Sequence, residues 1–220
     1  MLPGYAASML VMPFRFFLGA ALALALGAAV LPAPAARAQA QAQGLKAPHR
    51  GSTLPKTPAE REKMLSDLYA LLATADDEEA AKAIADAIER VWLHSGSATV
   101  DLLMERYAKA MADKKHDLAL KLLDRVVELA PDFTEGWNRR AYVYFVKSDV
   151  ERALGDLRRT LALDPNHYKA LDGLGQILRE MGQKKAALKV FKQLLDVHPY
   201  WSGAKQAVEE LEREVEGQDL

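Results

Sequence analysis

From Pro58 onward the apolar residues recur at the three-and-four spacing of helices, and no stretch alternates as a strand would. That spacing predicts a helical hairpin, Pro58 to Ala75 and Asp77 to His94, followed by further helices as far as Glu216. The last of them, SGAKQAVEELEREVE from Ser202, puts Ala204, Val208, Leu211 and Val215 on one face and charge on the others, with Ser202 placed to cap its start. Phe16 to Leu31, FFLGAALALALGAAVL, follows a different pattern: it is apolar on every side and carries no charge.

Comparing the chain with itself adds a longer period. Ala-Pro-Asp at 130–132, Asp-Pro-Asn at 164–166 and His-Pro-Tyr at 198–200 set prolines at 131, 165 and 199, each 34 residues from the next. Twelve residues before each proline stands an alanine, Ala119, Ala153 and Ala187, and Leu123, Leu157 and Phe191 keep the same phase between them. Three positions holding one period through two intervals mark a true internal repeat.

The pattern resembles that of the tetratricopeptide repeat family, W-x2-L-G-x2-Y, A-x3-F and P over 34 residues. The unit Tyr168 to Trp201 matches with Leu171, Leu174-Gly175, Leu178, Ala187, Phe191 and Pro199. The unit Thr134 to His167 has Trp137, Arg140-Ala141 where Leu-Gly is usual, Tyr144, Ala153, Leu157 and Pro165. The unit Val100 to Phe133 keeps Ala119, Leu123 and Pro131 but departs from the pattern in its first half, where Arg106-Tyr107 replace Leu-Gly. The resemblance implies an all-α, right-handed superhelix of about three helix-turn-helix units. The hairpin, 58–97, is expected to cover the first unit as a degenerate repeat or cap, and 98–216 to form the repeat domain with its closing helix.

The residue types suit such stacking. Ala141, Gly175, Ala153 and Ala187 are small where backbones would approach closely. Trp137, Tyr144 and Phe191 are expected to fill the space between helices, which gives a loss of about 3–5 kcal/mol for Trp137→Ala or Tyr144→Ala. The prolines end each second helix, and Asp149 and Gly182 fall at turns between paired helices.

By the same resemblance, the first helix of each unit lines a concave groove that takes an extended peptide or a partner's helix. By repeat position the groove residues are Glu135, Asn138, Arg139, Tyr142 and Phe145, then Lys169, Asp172, Gln176 and Arg179. Amides, cations and aromatics of this kind can bond a peptide backbone and catch a carboxylate; the plainer reading is a solvated helix face. Some family members clamp a chain-terminal carboxylate with Lys and Asn residues, but Asp101, Met104, Glu105 and Ala108 stand at those positions of the first unit, so that clamp is not reproduced.

Ahead of the helices, Arg15, the apolar run and Ala36-Arg37-Ala38 compose a secretory signal peptide, 1–38, cut before Gln39, with Met12 as an alternative start. The run is shorter than the ~20 residues a bilayer span needs, which disfavours a retained anchor. Residues 39–57, rich in Gln, Ala and Pro, read as a flexible lead-in. Formal net charge is −1, and −3 once 1–38, with two arginines and no acid, is removed, so nucleic acid is not an expected partner.

Candidate chemistry is sparse. There is no cysteine, and none of His49, His94, His116, His167 and His198 stands three or four residues from another, so helical metal pairs are absent. Solvated or capping roles suit His116, His167 and His198. Asp76-Asp77-Glu78-Glu79 complements a helix N-terminus, Glu209, Glu210 and Glu212 read as a wet face, and Trp92 and Trp201 suit burial beside the caps. With no phosphate loop or nucleophile elbow, neither an enzyme nor a bound cofactor or metal is expected. The expected role is a periplasmic scaffold of a Gram-negative-like bacterium that binds a protein or peptide during envelope biogenesis or assembly of exported proteins. A self-associating structural element, or a small-ligand carrier, is the alternative.

Overall fold

The computed structural model describes residues 54–55 and 57–216; the expected signal peptide and most of the expected lead-in lie outside them. Local chemistry starts each of the first three helices. Thr57 and Glu60 form a capping box, side chain to backbone in both directions at 3.2 Å, and open α1 (Pro58–Ala73). Asp77 accepts from the Ala80 amide at 2.7 Å and opens α2 (Glu78–Leu93). Ser97 caps α3 (Ala98–Ala112). Then follow α4 (His116–Leu129), α5 (Thr134–Val146), α6 (Val150–Leu163), α7 (Tyr168–Glu180), α8 (Lys184–Val197) and α9 (Ser202–Glu216). Helix α9 begins at Ser202 itself, and the carbonyl of Trp201 accepts its first backbone bonds.

The 34-residue period is built into the backbone. Helices α3, α5 and α7 end at 112, 146 and 180, and α4, α6 and α8 occupy 116–129, 150–163 and 184–197. Each turn between paired helices contains one left-handed residue, Lys114 at φ 57°, Ser148 at 61° and Gly182 at 72°. The next amide, of Lys115, Asp149 or Gln183, donates back to the carbonyl of Ala110, Tyr144 or Leu178 at 2.8–2.9 Å, closing the helix in a Schellman motif. Only the third unit has the residue this conformation favours. Lys114→Gly and Ser148→Gly are each expected to stabilise the fold by about 0.5–1 kcal/mol, because relief of the Cβ clash exceeds the added chain entropy. Urea unfolding of each variant against the parent measures the gain.

Between paired helices the small residues do what their positions predict. Ala119, Ala153 and Ala187 are fully buried. A Cβ on Gly175 would stand 2.7 Å from the Phe191 ring, so the glycine sets how closely α7 and α8 approach. Trp137 departs from expectation. It does not fill the core; its ring lies partly exposed with Arg140 at 4.8 Å and Arg159 at 5.9 Å, and its indole N–H donates to the Pro131 carbonyl at 3.0 Å. The cause is Arg140, which occupies the position of Leu174 in the next unit and makes a two-pronged bond to the buried Asp156 at 2.7 and 2.9 Å. Truncation of Trp137 therefore loses surface packing rather than opening a core cavity. Tyr144 is buried as expected.

The hairpin also sits elsewhere than expected. Its buried side chains, Leu68, Tyr69, Leu72, Ile88, Val91 and Trp92 among them, share one apolar cluster with Tyr168, Leu171, Phe191, Leu194 and Leu211. The first unit closes its own cluster around Met104, Tyr107, Leu123 and Val126. The hairpin is thus not a lid on the first unit; it folds back onto α5, α7 and α8. The reason is chemical. The junction before α7 offers Trp92 the flat ring of His167 and Tyr69 the carboxylate of Asp164. Among the described residues no helix is long and apolar enough to cross a membrane.

Candidate functional site

Repeat position determines which side of each first helix faces inward, and equivalent residues of α5 and α7 converge on one pocket of about 270 Å³. Asn138, Arg139, Tyr142 and Phe145 line it from α5, and Lys169, Asp172 and Gln176 from α7, over a floor of Ala141, Leu157, Gly173 and Ile177. Tyr142 is 55% exposed at its mouth. Two of the expected groove residues stand apart. Arg179, exposed, lies beyond the pocket and pairs with Glu210 of α9 at 3.5 Å. Glu135 is an interior group, 1% exposed.

Three polar side chains converge on the buried Glu135. Asn138 Nδ2 donates to it at 3.0 Å, Arg139 Nε bonds its other oxygen, and His167 Nε2 lies 3.0 Å away. His167 accepts the Ala170 amide at Nδ1, which caps α7 and leaves Nε2 to carry the proton toward Glu135. The plane of Trp92 stacks on the His167 ring at 3.8 Å and 7°. Burial alone would raise the Glu135 pKa, but the hydrogen bond with His167, then the Arg139 guanidinium and the Asn138 amide, hold it down at about 2. Capping, one of the roles expected of His167, is met, although the ring is fully buried.

A second concavity, about 710 Å³, lies between the hairpin and the first unit. Met64, Leu68, Val91, Met104 and Tyr107 make it largely apolar; Arg90, His94, Asp101, Glu105 and Arg139 edge it. Arg139 borders both spaces, so they meet at that side chain. Asp101, Met104, Glu105 and Ala108, the positions without the carboxylate clamp, form its α3 wall. The hairpin interrupts the inner face further along: Glu89 of α2 pairs with Lys169 at 2.7 Å. The hairpin therefore occupies ground that the bare array would leave open, and what remains is two linked recesses.

Period 34 contained an unread signal for this junction. Phe133, His167 and Trp201 are each a flat ring just before a first helix, and the last two stand beside the hairpin's contact surface. The acids of the closing helix stay in solvent, where Glu212 and Glu214 pair with Lys192 and Lys184 at 2.7 and 3.1 Å. Among the described residues no group of three or more His, Cys, Asp or Glu is arranged to hold a metal.

Known proteins resemble the repeat array. A family model described as tetratricopeptide repeat matches residues 169–199. A TPR repeat-containing protein of Rhizobium etli is 35% identical over 156 residues, which span 71% of this chain and 76% of that protein. The Sgt2 TPR domain from Aspergillus fumigatus superposes with a TM-score of 0.51 at 23% identity, over 56% of this chain and 83% of its own. The first TPR domain of Spaghetti, solved with an HSP90 peptide bound, gives 0.51 at 20%, over 54% and 97%.

Proposed function

Because the chain belongs to the tetratricopeptide repeat family, we propose that it is an exported scaffold that receives a segment of a partner protein in the recess between α5 and α7. The supporting observation is the exposed ring of Tyr142 beside Phe145, over a floor opened by Gly173 and flanked by the amides of Asn138 and Gln176. An exposed aromatic ring beside side-chain amides suits an extended backbone. The HSP90 peptide held by a domain of the same fold is consistent with such use, although the charges of the first unit here are not those of a carboxylate clamp. The signal-like N-terminus supports work in the periplasm, in envelope biogenesis or assembly of exported proteins.

Photo-crosslinking in the native cell tests this. A crosslinking residue at position 142 is expected to trap a discrete partner, while one at Leu118, exposed on α4 and lining neither recess, traps none. The recovered chain is expected to begin at Gln39. Equal capture at both positions, or none at 142, overturns the groove reading, and a retained leader overturns the export reading. A second reading, an apolar-ligand carrier, draws on the cleft beside the hairpin, whose volume falls in the ~300–1,000 Å³ range of small-molecule sites. A small molecule that strongly raises the melting temperature would favour it.

A further inference from the structure

Charge in the α5–α7 recess is unevenly spent. Arg139 is committed to Glu135, and Lys169 to Glu89 at 2.7 Å. Arg179, the cation that acts on Asp172 through space, pairs with Glu210. Asp172 has no ion pair among the described residues. Its oxygens accept only from neutral groups, the Trp201 indole N–H at 3.2 Å and the Gln176 amide. Beside it the recess floor is apolar, and position 173 has no side chain to cover it. A Cβ there would meet the Leu157 methyls at 3.6 and 3.8 Å, so the glycine opens a path to Leu157. At about 270 Å³ the space is below that of a whole small-molecule site and suits a single bulky side chain.

Resting on the groove reading above, we propose that this recess is an anchor subsite for a basic, apolar segment of the partner: a branched or aromatic side chain seated over Gly173, with an adjacent lysine or arginine against Asp172. The cation completes the one lining carboxylate that lacks an ionic counterpart, and the open face of Tyr142 offers it a second attraction. Partial burial pushes the Asp172 carboxyl above its ordinary range, and the Trp201 and Gln176 bonds and the more distant Arg179 offset it only in part. An acidic segment would meet Asp172 unpaired and find the recess cations already neutralised.

The probes are acetyl-phenylalanyl-lysine amide and acetyl-phenylalanyl-glutamate amide, titrated into the full exported chain and followed by amide shifts in NMR. The lysine probe is expected to move the amides of Gly173, Gln176 and Ile177, saturating at about 10 mM as suits so small a ligand, with the glutamate probe at least about tenfold weaker. Asp172→Asn should bring the two probes within about twofold of each other. Gly173→Leu should abolish both, and since that variant strains the helix seam, the charge preference of the parent stands as the independent readout. Equal binding of both probes, a preference for glutamate, or no shift at these amides overturns the proposal. If position 142 still traps a partner while the lysine probe fails, the anchor chemistry alone falls; if crosslinking fails as well, the groove reading falls with it.

Discussion

Glu135→Ala is expected to lower the unfolding free energy by about 3 kcal/mol, near the lower end of what breaking a buried ion pair costs. The carboxylate is the shared acceptor for His167, Asn138 and Arg139, and its removal leaves the first two without a partner in a site closed to water. Arg139 can turn toward the recess it already borders, which keeps the loss from being larger. The acid limb of the stability curve gives the sharper test. The Glu135 pKa is depressed in the folded protein to about 2, so its contribution is complete above its ordinary value near 4.5 and is lost as pH falls through about 2. Glu135→Gln lacks that titration. The gap in melting temperature between parent and Glu135→Gln should therefore be widest near neutrality and close progressively below pH about 4.5. A gap that stays constant from neutrality to pH about 2 would show that Glu135 is not held as an anion.

A position repeated every 34 residues sees the same neighbours in each unit, so Ala153 and Ala187 could be read as seam residues, and Tyr142 and Gln176 as facing one groove, without coordinates. Burial of Glu135 depends instead on His167, in the next unit, and on Trp92, which belongs to no repeat. No periodic signal carries that information. Trp137 misled for a related reason: the family position is one of burial, but Arg140 beside it found Asp156 across the seam and drew the indole into a guanidinium sandwich at the surface. The hairpin was readable as two helices from its spacing and Asp77, yet its docking surface was not, because an amphipathic face does not name its partner.

Trp92 is the polar and aromatic centre of that docking, and Trp92→Ala is expected to release the hairpin at a loss of about 3–5 kcal/mol. Trp92, 4% exposed, lies flat on His167, tilts against Tyr168 at 4.7 Å, and donates its N–H to the Tyr69 hydroxyl at 3.1 Å. Tyr69 in turn donates to Asp164 at 2.5 Å, so the indole joins both hairpin helices to the junction before α7. Truncation would open a cavity against three aromatic groups and strand the Tyr69 hydroxyl bond at once. Outside this knot and the apolar cluster behind it, the hairpin is tied down by isolated contacts such as Tyr200 to the Asp76 carbonyl at 2.8 Å. The variant should accordingly lose two-state behaviour: protease should cut between α1 and α2, or between α2 and α3, while α3 to α8 stay protected from hydrogen exchange. Trp92→Phe keeps a ring over His167 and loses the N–H, so it should cost less than half as much. If Trp92→Ala unfolds in urea at the parent's midpoint with the hairpin still protected, the stack on His167 is ornamental, and the inner face is defended by the apolar cluster alone.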